Sequence, residues 1–219
     1  MTNTDTAHEY WDGHWRAPDA KWLVPEAEVL DWAATLAPGV RILDLGAGVG
    51  RHALALAQRG FAVAAVDAAA DGLARLESAA RDHRVAIPAQ VAPMTALPYA
   101  DAAFDHVLSW NVIYHGDEAV VRRTIAEIAR VLRPGGTFLG TMLSARRIPV
   151  ETAKAPGREI SPGTWVFDGH DDGDKAHPHY FCDAATLLHL WAGFEPWRLE
   201  DREHQKPGSY HWHLLMERL

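Results

Sequence analysis

The sequence predicts an α/β fold built around a doubly wound, mostly parallel sheet, and three neighbouring segments carry that prediction. The segment VRILDLG, Val40 to Gly46, is a run of β-branched and apolar residues that ends in a glycine-rich turn, as expected for a strand buried on both faces. RHALALAQRG, from Arg51, has helical apolar spacing and stops at Gly60. FAVAAVD, which ends at Asp67, is a second buried strand. Strand, helix and strand in so short a stretch form a βαβ unit.

The same alternation continues along the chain. Further elements are expected as a helix over 71–82, a weak strand over 87–91, a strand over 104–110, an amphipathic helix over 117–132, a strand TFLGTML after the turn PGG, and two closing strands over 194–201 and 210–218. The closing strands are joined by a KPGS turn and are expected to pair antiparallel. These elements predict a Rossmann-like mixed sheet of seven strands, with the last strand antiparallel and helices on both faces.

Composition excludes several classes of function. The chain has 21 Lys and Arg against 29 Asp and Glu, a formal net charge of -8, which gives no general attraction to nucleic acids or anionic membranes. The single cysteine, Cys182, permits neither an intrachain disulfide nor a thiolate zinc cage. The sequence shows no secretory signal and no apolar run long enough to span a bilayer, so a cytoplasmic protein is expected. Its oligomeric state is left open.

The densest chemical signal is the segment DLGAGVG. Gly46, Gly48 and Gly50 lie between a strand and a helix, where missing side chains let a ligand approach the backbone. Asp67 ends the next strand, at the place where a carboxylate accepts hydrogen bonds from a ribose diol. Together they predict a site for an adenosine-like ligand, against the simpler alternative of a tight turn beside a surface aspartate.

Two cofactor classes compete for this loop. A dinucleotide site uses G-x-G-x-x-G, whereas this loop reads G-x-G-x-G and is followed by Arg51, which breaks that spacing. Asp44, just before the loop, is unfavourable near a pyrophosphate and suits a ligand that carries an ammonium group. An NAD(P)-dependent oxidoreductase is therefore an alternative, and a non-catalytic cofactor- or metal-binding protein is another.

Three blocks of sequence together resemble the class I S-adenosylmethionine-dependent methyltransferases, specifically their small-molecule group. The blocks are LDLGAGVGRHALALAQRGFAVAAVD, LPYADAAFDHVLSWNVIYH and EIARVLRPGGTFLGTM. More loosely, HPHYF, a helix ending in GF and HWHLLMER are similar to the C-terminal part of the same group, which includes tellurite-resistance-type methyltransferases. The resemblance implies S-adenosylmethionine as the cofactor and methyl transfer to a small-molecule acceptor.

Position by position, the resemblance implies that the loop from Asp44 to Gly50 holds the methionine part of the cofactor and that Asp67 holds the ribose hydroxyls. Pro93 stands where many relatives place an aspartate for the adenine amino group, so adenine recognition is expected to depend on backbone groups over 94–96. An N-terminal helix often closes over the cofactor in related enzymes. The implied cofactor-binding residues are Tyr10, Trp15, Asp44, Gly46, Ala47, Gly48, Gly50, Arg51, Asp67, Ala68, Met94, Thr95, Ala96 and Asn111.

The chain is expected to form a single methyltransferase domain with four regions. These are an N-terminal helical cap over 1–36, a cofactor-binding core over 37–142, a substrate-side insertion over 143–182, and a C-terminal helix with an antiparallel strand pair over 183–219. The insertion is rich in proline and glycine and is expected to be a long irregular segment that forms part of the substrate wall.

Methyl transfer from a sulfonium is an in-line displacement, so the protein's main task is to align donor and acceptor and exclude water. A base helps if the acceptor is a hydroxyl or a protonated amine, and His115 follows the fourth strand at the ligand-binding edge of the sheet. The alternative is a loop histidine bonded to backbone. The residues expected to face the acceptor are Tyr114, His115, Arg146, His177, His179 and Tyr180, and Arg146 with Arg147 is placed to receive an acidic acceptor.

The segment FDGHDDGDKAHPHYFC has three histidines and four aspartates and resembles a metal site at first sight. A calcium loop of the EF-hand type fails, because its third position is His170 and its twelfth is His179 rather than Glu. A zinc site built on His177 and His179 lacks an accompanying helical H-E-x-x-H pattern. We therefore expect no metal, and instead a solvated turn followed by a short extended segment.

Overall fold

The structure, a computed structural model, describes residues 4–219; residues 1–3 of the expected N-terminal cap lie outside the described part. Five parallel strands form the centre of the sheet in the order β3-β2-β1-β4-β5. They are β1 (Arg41–Leu45), β2 (Ala62–Asp67), β3 (Ala89–Val91), β4 (Phe104–Ser109) and β5 (Leu132–Ser144). The order reverses between β1 and β4, and in open α/β sheets ligands bind beyond the carboxyl ends of the strands at such a point.

Two more strands complete the predicted seven. β10 (Tyr210–Arg218) is antiparallel to β5 on one side and to β9 (Phe194–Glu203) on the other. The last strand along the chain therefore lies between β5 and β9, and the predicted mixed sheet with an antiparallel ending is confirmed. Within residues 4–219 the sheet has ten strands rather than the expected seven, because three short strands of the 143–182 insertion extend it beyond β5.

Helices cover both faces of this sheet. They are α1 (Ala7–His14), α2 (Ala27–Ala33), α3 (Arg51–Ala57), α4 (Ala70–His83), α5 (Glu118–Val131), α6 (Ile148–Thr152) and α7 (Ala184–Leu190). Side chains alternate along β1, so Ile42 packs into a core cluster with α2, α3 and α4, whereas Leu43 and Leu45 pack into a second cluster with α5 and α7. The Rossmann-like arrangement follows from these two cores.

The 143–182 insertion is more regular than the sequence indicated. It contains α6, a hairpin of β6 (Gly157–Ser161) and β7 (Thr164–Phe167), and β8 (His179–Cys182), with 3₁₀ turns over 145–147 and 173–176. The expected irregular segment is wrong in this respect, because Pro162 and Gly163 form the turn of the hairpin, whereas Pro149 lies in α6 and Gly157 begins β6. β8 pairs with β7 and also continues alongside the end of β5, so the insertion is anchored to the main sheet.

A search for membrane-spanning segments among residues 4–219 gives none: every helix there is too short or too polar to cross a bilayer.

Candidate active site

The glycine loop between β1 and α3 has a backbone that only glycine adopts without strain. Gly46 and Gly50 have φ angles of 75° and 82°, in the left-handed region. A Cβ at Gly50 would lie 2.2 Å from Leu76 Cδ1, and one at Gly46 would lie 2.3 Å from Val112 Cγ2. The loop therefore packs tightly against its neighbours and presents backbone groups at the carboxyl end of β1.

Asp67, the last residue of β2, fixes this loop and lies in the wall of the adjacent cavity. One carboxylate oxygen accepts a hydrogen bond from Gly48 N at 2.7 Å, and the other accepts one from Ala69 N at 2.8 Å. Burial raises the pKa of this carboxyl, and the backbone hydrogen bonds oppose the shift. Each oxygen has a second lone pair, so the side chain can also accept hydrogen bonds from a ligand.

Asp44 is buried beneath the loop and lies outside the cavity wall, unlike the position expected for a contact to a ligand's ammonium group. Its carboxylate accepts a hydrogen bond from Ala53 N in the first part of α3. Burial raises its pKa to about 7. In this structure the side chain of Asp44 connects β1 to α3.

A cavity of about 660 Å³ lies at the carboxyl ends of β1, β2 and β4. The glycine loop, Asp67 and Asn111 line one side of it, and residues of the 143–182 insertion and of the β9–β10 hairpin line the other. Asn111 follows β4 with a φ of 64°, a conformation that asparagine tolerates better than most residues. The cavity thus occupies the position where α/β sheets bind ligands.

Three tryptophans from the N-terminal region, Trp11, Trp15 and Trp22, form an aromatic hood over this cavity. Trp11 and Trp15 are stacked with centroids 4.9 Å apart, and Trp22 meets both edge-on. A Cβ at Gly48 would lie 2.9 Å from Trp15 Cζ2, so the hood rests directly on the glycine loop. Tyr10, which lies on α1 next to Trp11, also lines the cavity.

Arg51 joins the hood to the start of α3. Its guanidinium lies 3.1 Å from the Glu26 carboxylate, donates to Val24 O, and lies over the Trp22 ring with 5.5 Å to the centroid. Arg51 lines the cavity, as expected, but its guanidinium is already paired within the protein.

The insertion side of the cavity is basic. Glu151, fully buried, binds Arg147, Lys154 and His170. Burial opposes ionisation of Glu151, but Arg147, Lys154 and Lys175 lower its pKa to about 2. Lys175 is also buried and lines the cavity, and within residues 4–219 its ammonium has neither a hydrogen-bond partner nor an ion pair. Burial lowers the pKa of Lys175 to about 8.

Asp174 lies between two histidines at the base of the insertion. Its Oδ2 is 2.9 Å from His179 Nε2 and 3.3 Å from His115 Nε2. The other nitrogens are engaged as well, His115 Nδ1 with Val112 O and His179 Nδ1 with His177 O, each at 2.7 Å. The Nε2 atom of His115 therefore faces the Asp174 carboxylate rather than the open part of the cavity, where a base would have to meet an acceptor.

A chain of hydrogen bonds leads from the cavity towards α2. Asn111 Nδ2 lies 3.2 Å from His204 Nε2, His204 Nδ1 lies 3.2 Å from His213 Nε2, and His213 Nδ1 lies 2.8 Å from the Glu28 carboxylate. Burial lowers the pKa of His204 to about 3, so its imidazole is neutral near pH 7. Asn111 Nδ2 can only donate, so His204 accepts on Nε2 and donates from Nδ1, and these hydrogen bonds fix its tautomer.

Several buried polar atoms in the cavity wall have no partner within residues 4–219. Buried donors and acceptors are normally paired, because an unpaired one costs about 1–3 kcal/mol. Such atoms therefore indicate a place for a ligand. They are Trp11 Nε1, Trp22 Nε1, Trp110 Nε1, His14 Nε2 and Asp174 Oδ1.

About half of the expected site residues meet in this cavity. The wall includes Tyr10, Trp15, Gly46, Ala47, Arg51, Asp67, Ala68, Met94, Asn111, Tyr114 and His115. The others lie behind it or away from it, and these are Asp44, Gly48, Gly50, Thr95, Ala96, Arg146, His177, His179 and Tyr180.

Three of the expected acceptor contacts are engaged elsewhere in the protein. The guanidinium of Arg146 lies over the Tyr210 ring, 4.0 Å from its centroid. The imidazole Nδ1 of His177 lies 3.0 Å from Thr6 Oγ1. The hydroxyl of Tyr180 donates to Glu118 at 3.3 Å.

Sequence reasoning missed other wall residues, chiefly Trp22, Trp110, Asp174, Lys175, His204 and His211. One signal was available for His211, because the alternation in HWH places its two histidines on the same face of a strand. Lys175 and Asp174 gave no such signal, since only the 3₁₀ turn over 173–176 directs them inward.

Comparison with known proteins agrees with this architecture. Residues 42–136 match the family described as "Methyltransferase domain". An uncharacterized methyltransferase of Mycobacterium bovis is 40% identical over 54% of this chain and 45% of its own length. The ubiquinone biosynthesis O-methyltransferase of Paramagnetospirillum magneticum is 35% identical over 63% of this chain and 53% of its own. The chain spans about half the length of the curated relatives it matches.

Solved structures share the fold over nearly the whole chain. An S-adenosylmethionine-dependent methyltransferase from Methanosarcina mazei has a TM-score of 0.74 at 19% identity, covering 90% of this chain and 99% of its own. The 1,6-didemethyltoxoflavin-N1-methyltransferase of Burkholderia thailandensis gives 0.71 at 19%, covering 96% and 86%. TehB from Haemophilus influenzae gives 0.66 at 16%, covering 97% and 67%.

Four observations point to the class of protein: the fold, the glycine loop, the aspartate that ends β2 and the family match. Residues 42–136 match a methyltransferase domain, and the chain has the fold of the S-adenosylmethionine-dependent methyltransferases to which it is similar. The Rossmann-like fold that the sequence predicted is thereby confirmed, and the family match agrees with the resemblance.

Proposed function

We propose that this protein transfers a methyl group from S-adenosylmethionine to a small-molecule acceptor by in-line displacement. The observation that carries the proposal is the cavity in which the glycine loop and Asp67 face unpaired buried donors of the hood. The Asp67 carboxylate can accept hydrogen bonds from a ribose diol. The backbone of Gly46 and Ala47 lies in the same cavity wall, where the methionine part of the cofactor can approach it.

When bound, S-adenosylmethionine supplies an electrophilic methyl group on a sulfonium. The residues proposed to hold it are Asp67, Asn111, Met94 and the backbone of the glycine loop, with the hood closing over them. The chain's own contribution is then orientation and exclusion of water, to which the three tryptophans over the cavity contribute. Asn111, His204, His213 and Glu28 form a hydrogen-bonded chain that holds Asn111 in place at the cavity wall.

For the acceptor we propose a small molecule that carries an acidic group. The cavity volume of about 660 Å³ must hold both reactants, which favours a compact acceptor. The buried ammonium of Lys175 makes no direct hydrogen bond or ion pair within residues 4–219 and faces this space, although carboxylates lie nearby, so an anionic group on the acceptor could bind it directly. Two proteins similar to this chain are named for O- and N1-methyl transfer to small molecules.

The first test is calorimetry of the full chain with S-adenosylhomocysteine and, separately, with NADH. Binding of S-adenosylhomocysteine without binding of NADH supports the proposal. Tight NADH binding with no response to S-adenosylhomocysteine would replace it with an oxidoreductase.

The second test addresses the acceptor. Pairs of small hydroxylated or amino carboxylic acids and their neutral esters are screened for S-adenosylhomocysteine release. The wild type is expected to turn over the acid of a productive pair, and Lys175→Met is expected to raise its KM at least ~10-fold, the loss of about one charged hydrogen bond. Lys206→Met, at an exposed lysine of the same cavity, serves as the control. Equal turnover of acids and esters by the wild type contradicts the acidic acceptor and leaves the methyltransferase proposal intact.

A further inference from the structure

The segment dismissed as a metal site on sequence grounds contributes two members of a buried three-residue cluster. His115, from the loop after β4, meets Asp174 and His179 because that loop pairs with the start of β8. One ligand atom from each residue lies within 4.8 Å of the others, and all three residues are buried. Sequence spacing concealed this set, since His115 lies far along the chain from both Asp174 and His179.

Hydrogen bonding fixes which nitrogen of each histidine faces the cluster. Val112 O and His177 O can only accept, so the Nδ1 atoms of His115 and His179 carry hydrogen. A neutral imidazole then has its lone pair on Nε2, and both Nε2 atoms point at the carboxylate of Asp174. Two lone pairs and a carboxylate converge with no donor between them, which is an arrangement completed by a cation.

We propose that His115, Asp174 and His179 bind a divalent transition-metal ion of the zinc class. The Nε2–Oδ2 separations of 2.9 and 3.3 Å are near the ~3.3 Å ligand–ligand edge of a tetrahedron with zinc bonds of about 2.0–2.1 Å. Histidines that ligate metals typically donate their other N–H to a carbonyl, as both do here. Asp174 Oδ1, buried and without a partner within residues 4–219, gives the carboxylate a second atom for the ion.

The fourth coordination position faces the cavity. Asp174 and His115 both line it, so water or an oxygen, nitrogen or sulfur atom of a cavity ligand can complete the tetrahedron, as in zinc sites with three protein ligands. The positive charges of Lys175 and Arg147 near the cluster are balanced by the negative charges of Asp172 and Glu151, so the surroundings do not repel a cation. The inference does not depend on the methyl-transfer proposal, since metal binding is measured directly.

The test uses the purified full chain, treated with a chelator, dialysed and titrated with Co²⁺. We expect one equivalent to bind with the intense visible absorption of tetrahedral Co²⁺ and to be displaced by Zn²⁺. Zn²⁺ should also raise the melting temperature. Asp174→Asn keeps the shape of the side chain but removes its charge, and is expected to weaken binding by ~100-fold or more.

The matched control is His170→Gln, a cavity-lining histidine of the same insertion that lies outside the cluster and binds Glu151. It should retain Co²⁺ affinity within about threefold. If Asp174→Asn fails to fold, His115→Gln tests the cluster from a different element. Should neither variant fold, X-ray absorption spectroscopy of the Co²⁺-loaded wild type shows whether the ion is bound by nitrogen and oxygen ligands, as the proposal requires. Absence of saturable binding by the wild type, or unchanged binding by a folded Asp174→Asn, overturns the proposal.

Discussion

At the scale of single residues, Asp67 has two tasks that one carboxylate can perform together. Its oxygens hold Gly48 N and Ala69 N, which fixes the glycine loop and the start of α4. Its remaining lone pairs face the cavity, where a ribose diol is proposed to bind. An amide in its place keeps the size of the side chain but replaces one acceptor oxygen by a donor.

Asp67→Asn is therefore expected to weaken S-adenosylhomocysteine binding by about 10- to 100-fold, which corresponds to about 1.5–3 kcal/mol for hydrogen bonds to a charged group. Calorimetry gives the affinity, and thermal melting separates it from loss of fold. Asp82→Asn, at an exposed aspartate at the end of α4, is the control. Unchanged affinity in a folded Asp67→Asn protein would show that the ligand binds elsewhere.

Residue-level prediction succeeded where a local pattern determines a local geometry. Asp67 and Gly46 were identified because a strand, a turn and a second strand bring them together over a short stretch of sequence. Lys175 and Asp174 could not be identified, since their burial depends on a 3₁₀ turn packing against residues far away in sequence. His115 was correctly placed at the sheet edge, but its contact with Asp174 depends on the same long-range packing.

At the scale of elements, the N-terminal region contacts the core around the rim of the cavity. α1 contacts α4 and the 3₁₀ turn over 173–176, and Trp15 packs on the glycine loop. Arg16 forms an ion pair with Asp71 at an exposed site, where such pairs stabilise little. Aromatic contacts of the hood and hydrogen bonds such as that from Asp71 N to Asp12 Oδ1 hold the N-terminal region in place, and a cofactor beneath the hood would add further contacts.

A chain that begins at Glu26 lacks the hood and is expected to bind S-adenosylhomocysteine at least ~10-fold more weakly, because several aromatic contacts of about 0.5–1.5 kcal/mol each are lost. Trp15→Ala tests the same point with less disturbance. Trp197→Ala, at an exposed tryptophan of β9, controls for a general effect of removing an indole. Full affinity in the shortened chain would mean that the hood does not touch the ligand.

The 143–182 insertion shows why its short strands could not be predicted from the sequence. β6 and β7 are short, and three of the five β6 residues are exposed, so neither strand has a long alternating pattern. β8 is fully buried but only four residues long, and its position is fixed by pairing with β7 and with the end of β5. Such pairing is long-range and leaves little trace in local composition.

At the scale of the whole molecule, Asp44 makes the free energy of unfolding depend on pH. Its pKa in the folded protein is about 7, against an ordinary value of 3.8. Between these values the folded state binds more protons than the unfolded state. The free energy of unfolding contributed by this group therefore falls as pH rises from about 4 to about 7, and is constant above that.

Asp44→Asn removes this titration while its amide oxygen can still accept from Ala53 N. The variant should gain free energy of unfolding relative to the wild type as pH rises through this window, by at most about 1.4 kcal/mol per pH unit. Urea unfolding between pH 4.5 and 8 measures the difference. A difference in the free energy of unfolding that does not change with pH would show that Asp44 is ionised in the folded protein throughout this range.

The overall topology was predictable because parallel βαβ units leave few alternatives once the strands and helices are recognised. The seven predicted strands, the antiparallel ending and the helices on both faces follow from periodicity, turns and the resemblance to one family. The position of β10 between β5 and β9 is consistent with the KPGS turn, which joins the last two strands directly.

The hood also makes the protein its own optical reporter. Four of its nine tryptophans line the cavity, and the indole rings of the three in the hood are stacked or edge-on with centroids 4.9 to 5.7 Å apart. Indole emission depends on local polarity and on nearby π systems, so a purine entering the cavity would shift or quench a large part of the intrinsic fluorescence. Occupancy of the site can therefore be followed in real time, without label or acceptor, by the light that these residues emit.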